Sequence, residues 1–284
     1  MRKKLALALT GVATAFALTA CGGSSTTADP SASATLDPAN PTVIKVGASP
    51  VPQSDILNFI DQNLAKDAGI DLDVVEIDDY VTPNTSLADG SLDANYFQTE
   101  AYLKTETEEK GYKFAHGAGI HVEPMTVFSK KFDKPEDVTE GATVVLNNDP
   151  VNQLRGMRVL ESAGLLSNLA DDDSVLTVQD DKAKNPKGLK FTEVNAEQVP
   201  QYYTKDDSVD LAVVNGNFIV QAKLNKDEIL AQESGENNPN ANFLTWREGE
   251  ETPAIKKLDE LLHSDEVRDY MKKTWTDGSV IPAF

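Results

Sequence analysis

The sequence predicts an α/β protein in which strands and helices alternate along the chain. The folded part opens with the order strand, helix, strand in "TVIKVGAS", "SDILNFIDQNLAKDAG" and "IDLDVVEI". This order implies that the two strands pair in parallel through a right-handed crossover. The alternation continues to the C-terminus, and this pattern is typical of α/β proteins.

Local patterns predict the elements of the first half. The first strand begins near Thr42 and ends in Gly and Ser, which are common after strands. The next segment has apolar Ile56, Ile60 and Leu64 at helical spacing, and Gly69 ends the helix. After the second strand, the sequence predicts a helix in "PNTSLADG", a strand in "LDANYFQ" and a helix in "EAYLKTETEEKG".

The second half continues the alternation. Strands are predicted in "TVFS", "ATVVLNN", "LKFTEV", "DLAVV" and "ANFLTWRE". The helix in "DPVNQLRGMRVLESAG" has Pro150 near its first position and Gly164 at its end, where these residues are favoured. Further helices are predicted from "NFIVQAKL" and in "PAIKKLDELLHSDEVRDYMKKTW". We expect "EKGYKFAHGAGIHVEPM" and "AQESGENNPNANF" to carry the chain between two lobes.

Composition excludes some partners. The 284 residues are 40% apolar, which is enough for one large core or two smaller ones. The net charge is −20, and nucleic acids and anionic lipid head groups both require a positive surface. We therefore expect no nucleic-acid partner.

The N-terminus predicts an exported lipoprotein. A short basic region precedes an apolar run that is too short to span a membrane comfortably, and residues 1–20 therefore read as a signal peptide. "LTAC" resembles a lipobox ending in Cys21, the only cysteine; the alternative is an ordinary signal peptide with a chance Cys. Residues 21–41 are rich in Gly, Ser, Thr, Ala and Pro and predict a flexible tether. The expected location is the extracytoplasmic face of the cell membrane, with the chain held there by lipid on Cys21.

No pattern in the sequence predicts catalysis. The three histidines, His116, His121 and His263, have no neighbouring Cys or carboxylates at metal-ligand spacing. Nucleophile-elbow, P-loop and dinucleotide-binding motifs do not occur, and no acid–base pair stands out. We therefore expect no enzyme activity, no cofactor and no metal.

Polar residues at strand ends predict a binding site. Asn215 follows "DLAVV", and in open α/β sheets ligands bind beyond the carboxyl ends of strands. The helix after Pro150 directs free N–H groups toward that crevice, which favours an anion. Asn152 and Arg155 share one face of this helix, so Arg155 is suited to clamp a carboxylate with two hydrogen bonds. The alternative is that Arg155 pairs with one of the many surface carboxylates.

The segment "DANYFQTEAYL" is unusual because three aromatic residues stand among polar ones. In a strand, Phe97 and Thr99 face one side while Tyr96 and Gln98 face the other, and Tyr102 begins the next helix. One aromatic set is suited to enclose a small apolar or thioether side chain. The alternative is that these rings fill the core beneath the helix.

Four segments together resemble a known family. "DYVTPNTSLADGSLDANYFQTEAYL", "NDPVNQLRGMRVLESAGLL", "NPKGLKFTEV" and "DLAVVNGNF" look like the methionine-binding lipoproteins of ABC importers, the NlpA/MetQ family. The resemblance implies a type II-like periplasmic-binding-protein fold, whose two α/β lobes are joined by a hinge. On this reading residues 42–125 plus 240–284 form one lobe and residues 126–239 the other. It also implies delivery of methionine or a relative of it to a membrane permease and its ATPase.

The resemblance also implies roles for individual residues. The family's aromatic clamp falls on Tyr80, Phe97 and Tyr102. Its carboxylate-binding Arg falls on Arg155, with Asn152 beside it.

The family's polar contacts to the amino-acid group fall on Asn215 and Asn242. Many members have His where this sequence has Thr99, which is smaller and cannot carry charge. The resemblance therefore leaves open L-methionine, D-methionine, a methionine dipeptide or another apolar amino acid. It gives no role to His121.

Two other classes of function stay open from sequence. One is an exported enzyme on a borrowed binding fold, which turnover of an amide, ester or peptide would reveal. The other is a surface adhesin, which would bind no small ligand. The leading expectation is a monomeric solute-binding protein.

Overall fold

Two β-sheets organise residues 35–284, the part of the chain that the computed structural model describes. The predicted signal peptide and Cys21 lie outside the described residues, as does most of the predicted tether. From Thr35 onward the chain belongs to the folded unit. Leu36 packs against the core of the first sheet, and Thr42 N–H donates to the carbonyl oxygen of Gly69 at 3.0 Å.

Twelve strands are assigned within the described residues. They are β1 (Thr42–Ala48), β2 (Ile70–Glu76), β3 (Ala94–Thr99), β4 (Phe114–His116), β5 (His121–Val122), β6 (Thr126–Phe128), β7 (Thr143–Asn147), β8 (Lys190–Val194), β9 (Leu211–Val214), β10 (Ile229–Gln232), β11 (Ala241–Arg247) and β12 (Ile281–Pro282).

The α-helices of this part alternate with the strands. They are α1 (Asp55–Ile60), α2 (Thr82–Ala88), α3 (Glu100–Lys110), α4 (Pro150–Ser162), α5 (Val175–Val178), α6 (Val199–Lys205), α7 (Gly216–Ala222), α8 (Pro253–Leu262) and α9 (Asp265–Thr274). Wider helical turns at Pro50–Ser54 and Asp61–Ala65 extend α1 at both ends.

The first sheet has the strand order β12-β5-β11-β3-β1-β2, with β4 also pairing with β11. β1 and β2 are parallel over their full length, which confirms the pairing predicted from the opening of the chain. β3 is parallel to β1, whereas β11 returns antiparallel beside β3. We call this sheet with its helices α1, α2, α3, α8 and α9 the first lobe.

The second sheet has the order β10-β6-β9-β7-β8. β7 is parallel to both β8 and β9, and β6 runs antiparallel to β9. We call this sheet with helices α4 to α7 the second lobe. The predicted α/β class with two lobes is confirmed.

The chain crosses between the lobes twice. It leaves the first sheet after β5 and enters the second at β6, and it returns between β10 and β11. The two crossings lie side by side, because Glu233 N–H donates to the carbonyl oxygen of Met125 at 2.9 Å.

Each lobe has its own hydrophobic core. In the first lobe, Tyr96 on β3 and Leu258 on α8 belong to one buried cluster. In the second lobe, separate clusters cover the two faces of the sheet, one around Met157 on α4 and one around Phe218 on α7. A sheet with both faces covered explains why β9 reads as a continuous apolar run.

Capping residues explain where the longer helices begin. Asp149 accepts a hydrogen bond from Asn152 N–H at the start of α4, and Thr252 does the same for Ile255 at the start of α8. Pro150 and Pro253 occupy the first helical positions, where no N–H is needed.

The structure adds short elements that the sequence patterns did not indicate. These are β4, β5, β10, β12, α5 and α6. Most have two to four residues, so they carry too little periodicity to be recognised. Among residues 35–284, no helix is both long enough and apolar enough to cross a membrane.

Burial in the hydrophobic core of the first lobe predicts that two Leu→Ala substitutions differ in their effect on the free energy of unfolding. Leu258 is fully buried in the first core, whereas Leu176 is 87% exposed at the start of α5. We expect Leu258→Ala to lower the free energy of unfolding by about 2–5 kcal/mol because it leaves a cavity. Leu176→Ala should change it by less than about 0.5 kcal/mol. Urea denaturation of both variants measures the difference, and equal effects would contradict the core assignment.

Candidate functional site

A cavity lies between the lobes, beyond the carboxyl ends of β3, β7 and β9. The space between its side chains, including the part open to solvent, is about 370 Å³. It is lined by Tyr80, Phe97, Gln98, Thr99, Tyr102, Glu123, Asn152, Arg155, Asn215, Gly216, Asn217 and Asn242. These residues come from both lobes and from the first crossing. All eight residues singled out from the sequence are among them.

One end of the cavity is aromatic. The ring of Tyr80 lies 6.0 Å from that of Phe97 and 6.1 Å from that of Tyr102, measured between centroids. The Tyr102 hydroxyl donates to the carbonyl oxygen of Tyr80 at 2.9 Å, which fixes the two rings relative to each other. The three rings therefore line the cavity, in contrast to Tyr96, which lies in the first core.

Tyr80 also ties the aromatic end to the second lobe. Its hydroxyl donates to Oδ1 of Asn217 at 2.7 Å, and its ring lies 5.4 Å from that of Phe218. Burial, and then the negative charge of Glu123, raise the pKa of Tyr80 well above its usual range. The phenol therefore keeps its proton and remains a hydrogen-bond donor.

A chain of amides surrounds the start of α4. Asp149 accepts from the N–H and Nδ2 of Asn152, whose Oδ1 accepts from Nδ2 of Asn215 at 2.9 Å. Asn147 donates in turn to Oδ1 of Asn215 at 3.4 Å. Burial raises the pKa of Asp149, and the hydrogen bonds from Asn152 partly offset this. The network fixes the orientation of both amides, because each uses its Oδ1 and its Nδ2 in it.

Arg155 is held by a carboxylate of the second crossing. Its Nε and Nη2 donate to Oε1 and Oε2 of Glu233 at 3.1 and 2.6 Å, and Nη2 also donates to the carbonyl oxygen of Glu123 at 3.0 Å. Glu233 is not one of the exposed surface carboxylates, because its side chain is only 17% exposed. Within the described part of the chain, Nη1 makes no hydrogen bond.

Glu233 is stabilised as a carboxylate. Burial alone would raise its pKa, but the hydrogen bonds and positive charge of Arg155 and the N–H of Met125 bring the pKa below its ordinary 4.5. Asn240 adds a further hydrogen bond to Oε1 at 2.9 Å.

Glu123 presents a second buried carboxylate at the cavity. Its Oε1 accepts from Nε2 of Gln53 at 2.7 Å and lies 2.6 Å from Nε2 of His121. Gln53 also donates to Oδ1 of Asn242 at 3.0 Å, so both side chains are held by one amide. Oε2 of Glu123 has no partner among residues 35–284.

The backbone at Glu123 is closely packed. A Cβ added to Gly216, the first residue of α7, would overlap Cβ of Glu123. This approach requires glycine at position 216 and brings the start of α7 against the first crossing.

Sequence reasoning missed four of the residues that shape this site. Glu123 lies in "HVEPM", which predicts only a crossing segment, and Gln53 and Glu233 stand in no recognisable motif. Asn217 lies in "DLAVVNGNF", where the resemblance implies a role only for Asn215. The one available signal was that His121 and Glu123, two titratable residues, stand two positions apart. No group of three or more His, Cys, Asp or Glu in residues 35–284 is placed to hold a metal ion.

The fold and the cavity are those of the two-lobed periplasmic binding proteins. The family model described as NlpA lipoprotein matches residues 44–284. The chain belongs to the NlpA lipoprotein family, and the resemblance predicted from its motifs is confirmed.

Curated relatives and solved structures agree with this assignment. The chain is 38% identical over 242 residues to the methionine-binding lipoprotein MetQ of Bacillus subtilis (strain 168), covering 84% of this chain and 87% of that one. It is 33% identical over 248 residues to the D-methionine-binding lipoprotein MetQ of Escherichia coli (strain K12), covering 86% and 90%. A nutrient binding protein from Burkholderia cenocepacia, solved bound to methionine, has a TM-score of 0.77 and 33% identity, over 85% of this chain and all of that one.

The depressed pKa of Glu233 predicts a pH-dependent contribution to stability. A carboxyl whose pKa is lower in the folded state stabilises the fold above its unfolded pKa, and this gain is lost as the pH falls through the folded pKa. We expect Glu233→Gln to lower the free energy of unfolding by about 2 kcal/mol at pH 7, because Arg155 loses its counterion. The difference in the free energy of unfolding between the variant and the wild type should shrink as the pH falls below 4.5, the ordinary pKa of a glutamate.

Urea denaturation between pH 7 and pH 3 measures this difference. Glu236→Gln is the matched control, since Glu236 is exposed in the same segment and should have little effect at any pH. If the loss in free energy of unfolding caused by Glu233→Gln stays constant across the pH range, the prediction is contradicted.

Proposed function

We propose that this protein is a lipid-anchored solute-binding protein of an ABC importer, which captures methionine or a close relative of it. The observation that carries the proposal is the cavity itself. It combines a guanidinium, a carboxylate and amides at one side with three aromatic rings at the other. That is the complement of an amino acid with an apolar side chain, and the relatives described above are named for methionine.

Arg155 is the proposed partner of the ligand carboxylate. Its Nη1 is directed by the bidentate contact of the other edge with Glu233. The amides of Asn152 and Asn215 stand beside it, and the start of α4 adds a favourable dipole. Together they meet the requirement that a buried carboxylate be paired and hydrogen-bonded.

Glu123 is the proposed partner of the ligand ammonium. Gln53 and His121 both contact Oε1, which leaves Oε2 as the acceptor toward the cavity. Asn242 lies beside it through the shared amide of Gln53. An ammonium placed here is neutralised by a full charge rather than by dipoles alone.

The aromatic clamp is proposed to enclose the ligand side chain. Tyr80, Phe97 and Tyr102 surround a space suited to a thioether, because sulfur–aromatic contacts add a modest gain to burial. Thr99 lies on the same side of β3 as Phe97 and is buried. Its small side chain leaves L-methionine, D-methionine and a methionine dipeptide as candidates.

The remaining assignments follow from this role. We propose that lipid on Cys21 holds the protein at the extracytoplasmic face of the cell membrane, where a permease and its ATPase receive the ligand. The lobes are residues 42–125 plus 240–284 and residues 126–239, and the two crossings between them act as the hinge. We propose a monomer without catalysis, cofactor or metal, and without nucleic-acid binding.

The proposal predicts that methionine binding depends on Arg155. Calorimetric titration of the purified full-length protein in detergent with L-methionine, D-methionine, Gly-Met and leucine identifies the ligand. We expect Arg155→Ala to weaken binding of the preferred compound by about a hundredfold, because a buried charge pair is lost. Mass spectrometry of the starting material excludes a ligand retained through purification.

Arg158→Ala is the matched control for Arg155. Arg158 lies one turn along α4 and pairs with Glu161 and Asp171 outside the cavity. It should leave affinity unchanged. A ligand-free wild type that binds none of the four compounds would remove methionine and its relatives as the substrate.

The proposed ammonium site predicts a selective effect of Glu123→Gln. We expect about a tenfold loss of affinity for the methionine ligand, because a charge-assisted contact becomes neutral. Affinity for 4-(methylthio)butanoate, which lacks the ammonium, should not fall. Glu106→Gln is the control, since Glu106 is also buried but pairs with Lys110 on α3. Equal losses for both compounds would place the ammonium elsewhere.

A further inference from the structure

A fully buried histidine stands directly behind the proposed ammonium site. Neither His121 nor Tyr96 has any exposed surface, and neither lines the cavity with its ring. Nε2 of His121 lies 2.6 Å from Oε1 of Glu123, and Nδ1 is hydrogen-bonded to the Tyr96 hydroxyl. Tyr96, His121 and Glu123 therefore form one chain from the first core to the cavity.

The chemistry of the partners sets the direction of this chain. An ionised carboxylate only accepts hydrogen bonds, so Nε2 of His121 carries a hydrogen and donates to Glu123. In the neutral ring Nδ1 is then an acceptor, and the Tyr96 hydroxyl is its donor. Burial, and then the charge of Glu123, raise the pKa of Tyr96 well above its usual range, so the phenol retains that hydrogen.

The hydrogen-bonded series Tyr96–His121–Glu123 restricts rotation of the Glu123 carboxylate. His121 and Gln53 occupy Oε1 from two directions, and Oε2 is thereby turned toward the cavity. The backbone on either side is also held: β5 pairs His121 with Asn242 of β11, and Gly216 packs against Glu123. The orientation of one carboxylate oxygen is thus set before any ligand arrives.

We propose that His121, held as the neutral Nε2–H tautomer between Glu123 and Tyr96, is a positioning residue for recognition of the ligand ammonium. It acts through Glu123 and does not touch the ligand. The inference rests on the proposed function, because it presumes that Glu123 binds an ammonium. It gives His121, to which the sequence assigned no role, a part in distinguishing amino acids from carboxylic acids.

The tautomer is measured by NMR on protein labelled with ¹⁵N at histidine. The chain has three histidines, and the signals missing in His121→Gln identify those of His121. We expect Nε2 to be protonated and Nδ1 not. A Nδ1–H tautomer or a doubly protonated ring at neutral pH would overturn the proposal.

Binding selectivity tests the consequence. For each variant, calorimetry gives the ratio of affinities for the methionine ligand and for 4-(methylthio)butanoate. We expect this ratio to fall about tenfold in His121→Phe and about threefold in Tyr96→Phe, because Glu123 loses its orientation. His121→Gln retains an N–H near the position of Nε2 and should restore much of the ratio.

Tyr203→Phe is the matched control for Tyr96→Phe. Tyr203 is equally buried, in the second lobe, and its hydroxyl donates to Glu228 at 2.6 Å away from the cavity. It should leave the ratio unchanged. Circular dichroism and urea denaturation establish that each variant is folded.

The outcomes separate the two proposals. A wild type that binds methionine, with a ratio unaltered in folded His121→Phe and Tyr96→Phe, overturns the positioning role and leaves the proposed function standing. A wild type that binds none of the methionine compounds overturns both. A ratio that falls in both variants, is restored by His121→Gln and is unaffected by Tyr203→Phe supports the proposal.

Discussion

The contact between Arg155 and Glu233 is the interaction on which the geometry of the site depends. A guanidinium that is largely removed from water is costly unless a counterion meets it. Glu233 provides this counterion while it also accepts from Met125 N–H, so one carboxylate joins α4 to both crossings between the lobes. The position of the proposed carboxylate clamp is thereby linked to the segments about which the lobes would move.

This pairing also shapes which charges the cavity accepts. One guanidinium, that of Arg155, is paired with the carboxylate of Glu233, and the carboxylate of Glu123 also lines the cavity, so negative charge exceeds positive charge around this point. A simple carboxylate would add to that excess at short range, where the effective dielectric constant is low. A zwitterion adds no net charge, and its ammonium offsets Glu123. On the proposed binding mode we therefore expect the arrangement to discriminate against acids that lack an amino group.

The sequence predicted the parts of this site that are carried by long motifs. The α/β class, the parallel opening and eight of the twelve lining residues could be named, because each lies in a regular element or in a segment that resembles the family. Glu233 could not, since it contacts Arg155 across 78 residues and no periodicity joins the two positions. The same holds for Gln53, which reaches Asn242 across 189 residues. Such pairings are decided by how the two crossings pack, which local patterns do not encode.

The two ends of the cavity are each completed by contacts that involve both lobes or a crossing. At the aromatic end, Tyr80 of the first lobe donates to Asn217 of the second, and at the polar end Arg155 is held against Glu233. A ligand that spans the cavity therefore gains its full set of contacts only when the lobes are together. A ligand shifts a conformational equilibrium only by its difference in affinity for the two states. Here the difference in affinity between the open and closed states comes from contacts at both ends of the cavity. A molecule that fits only one end would therefore favour closure less than one that fits both.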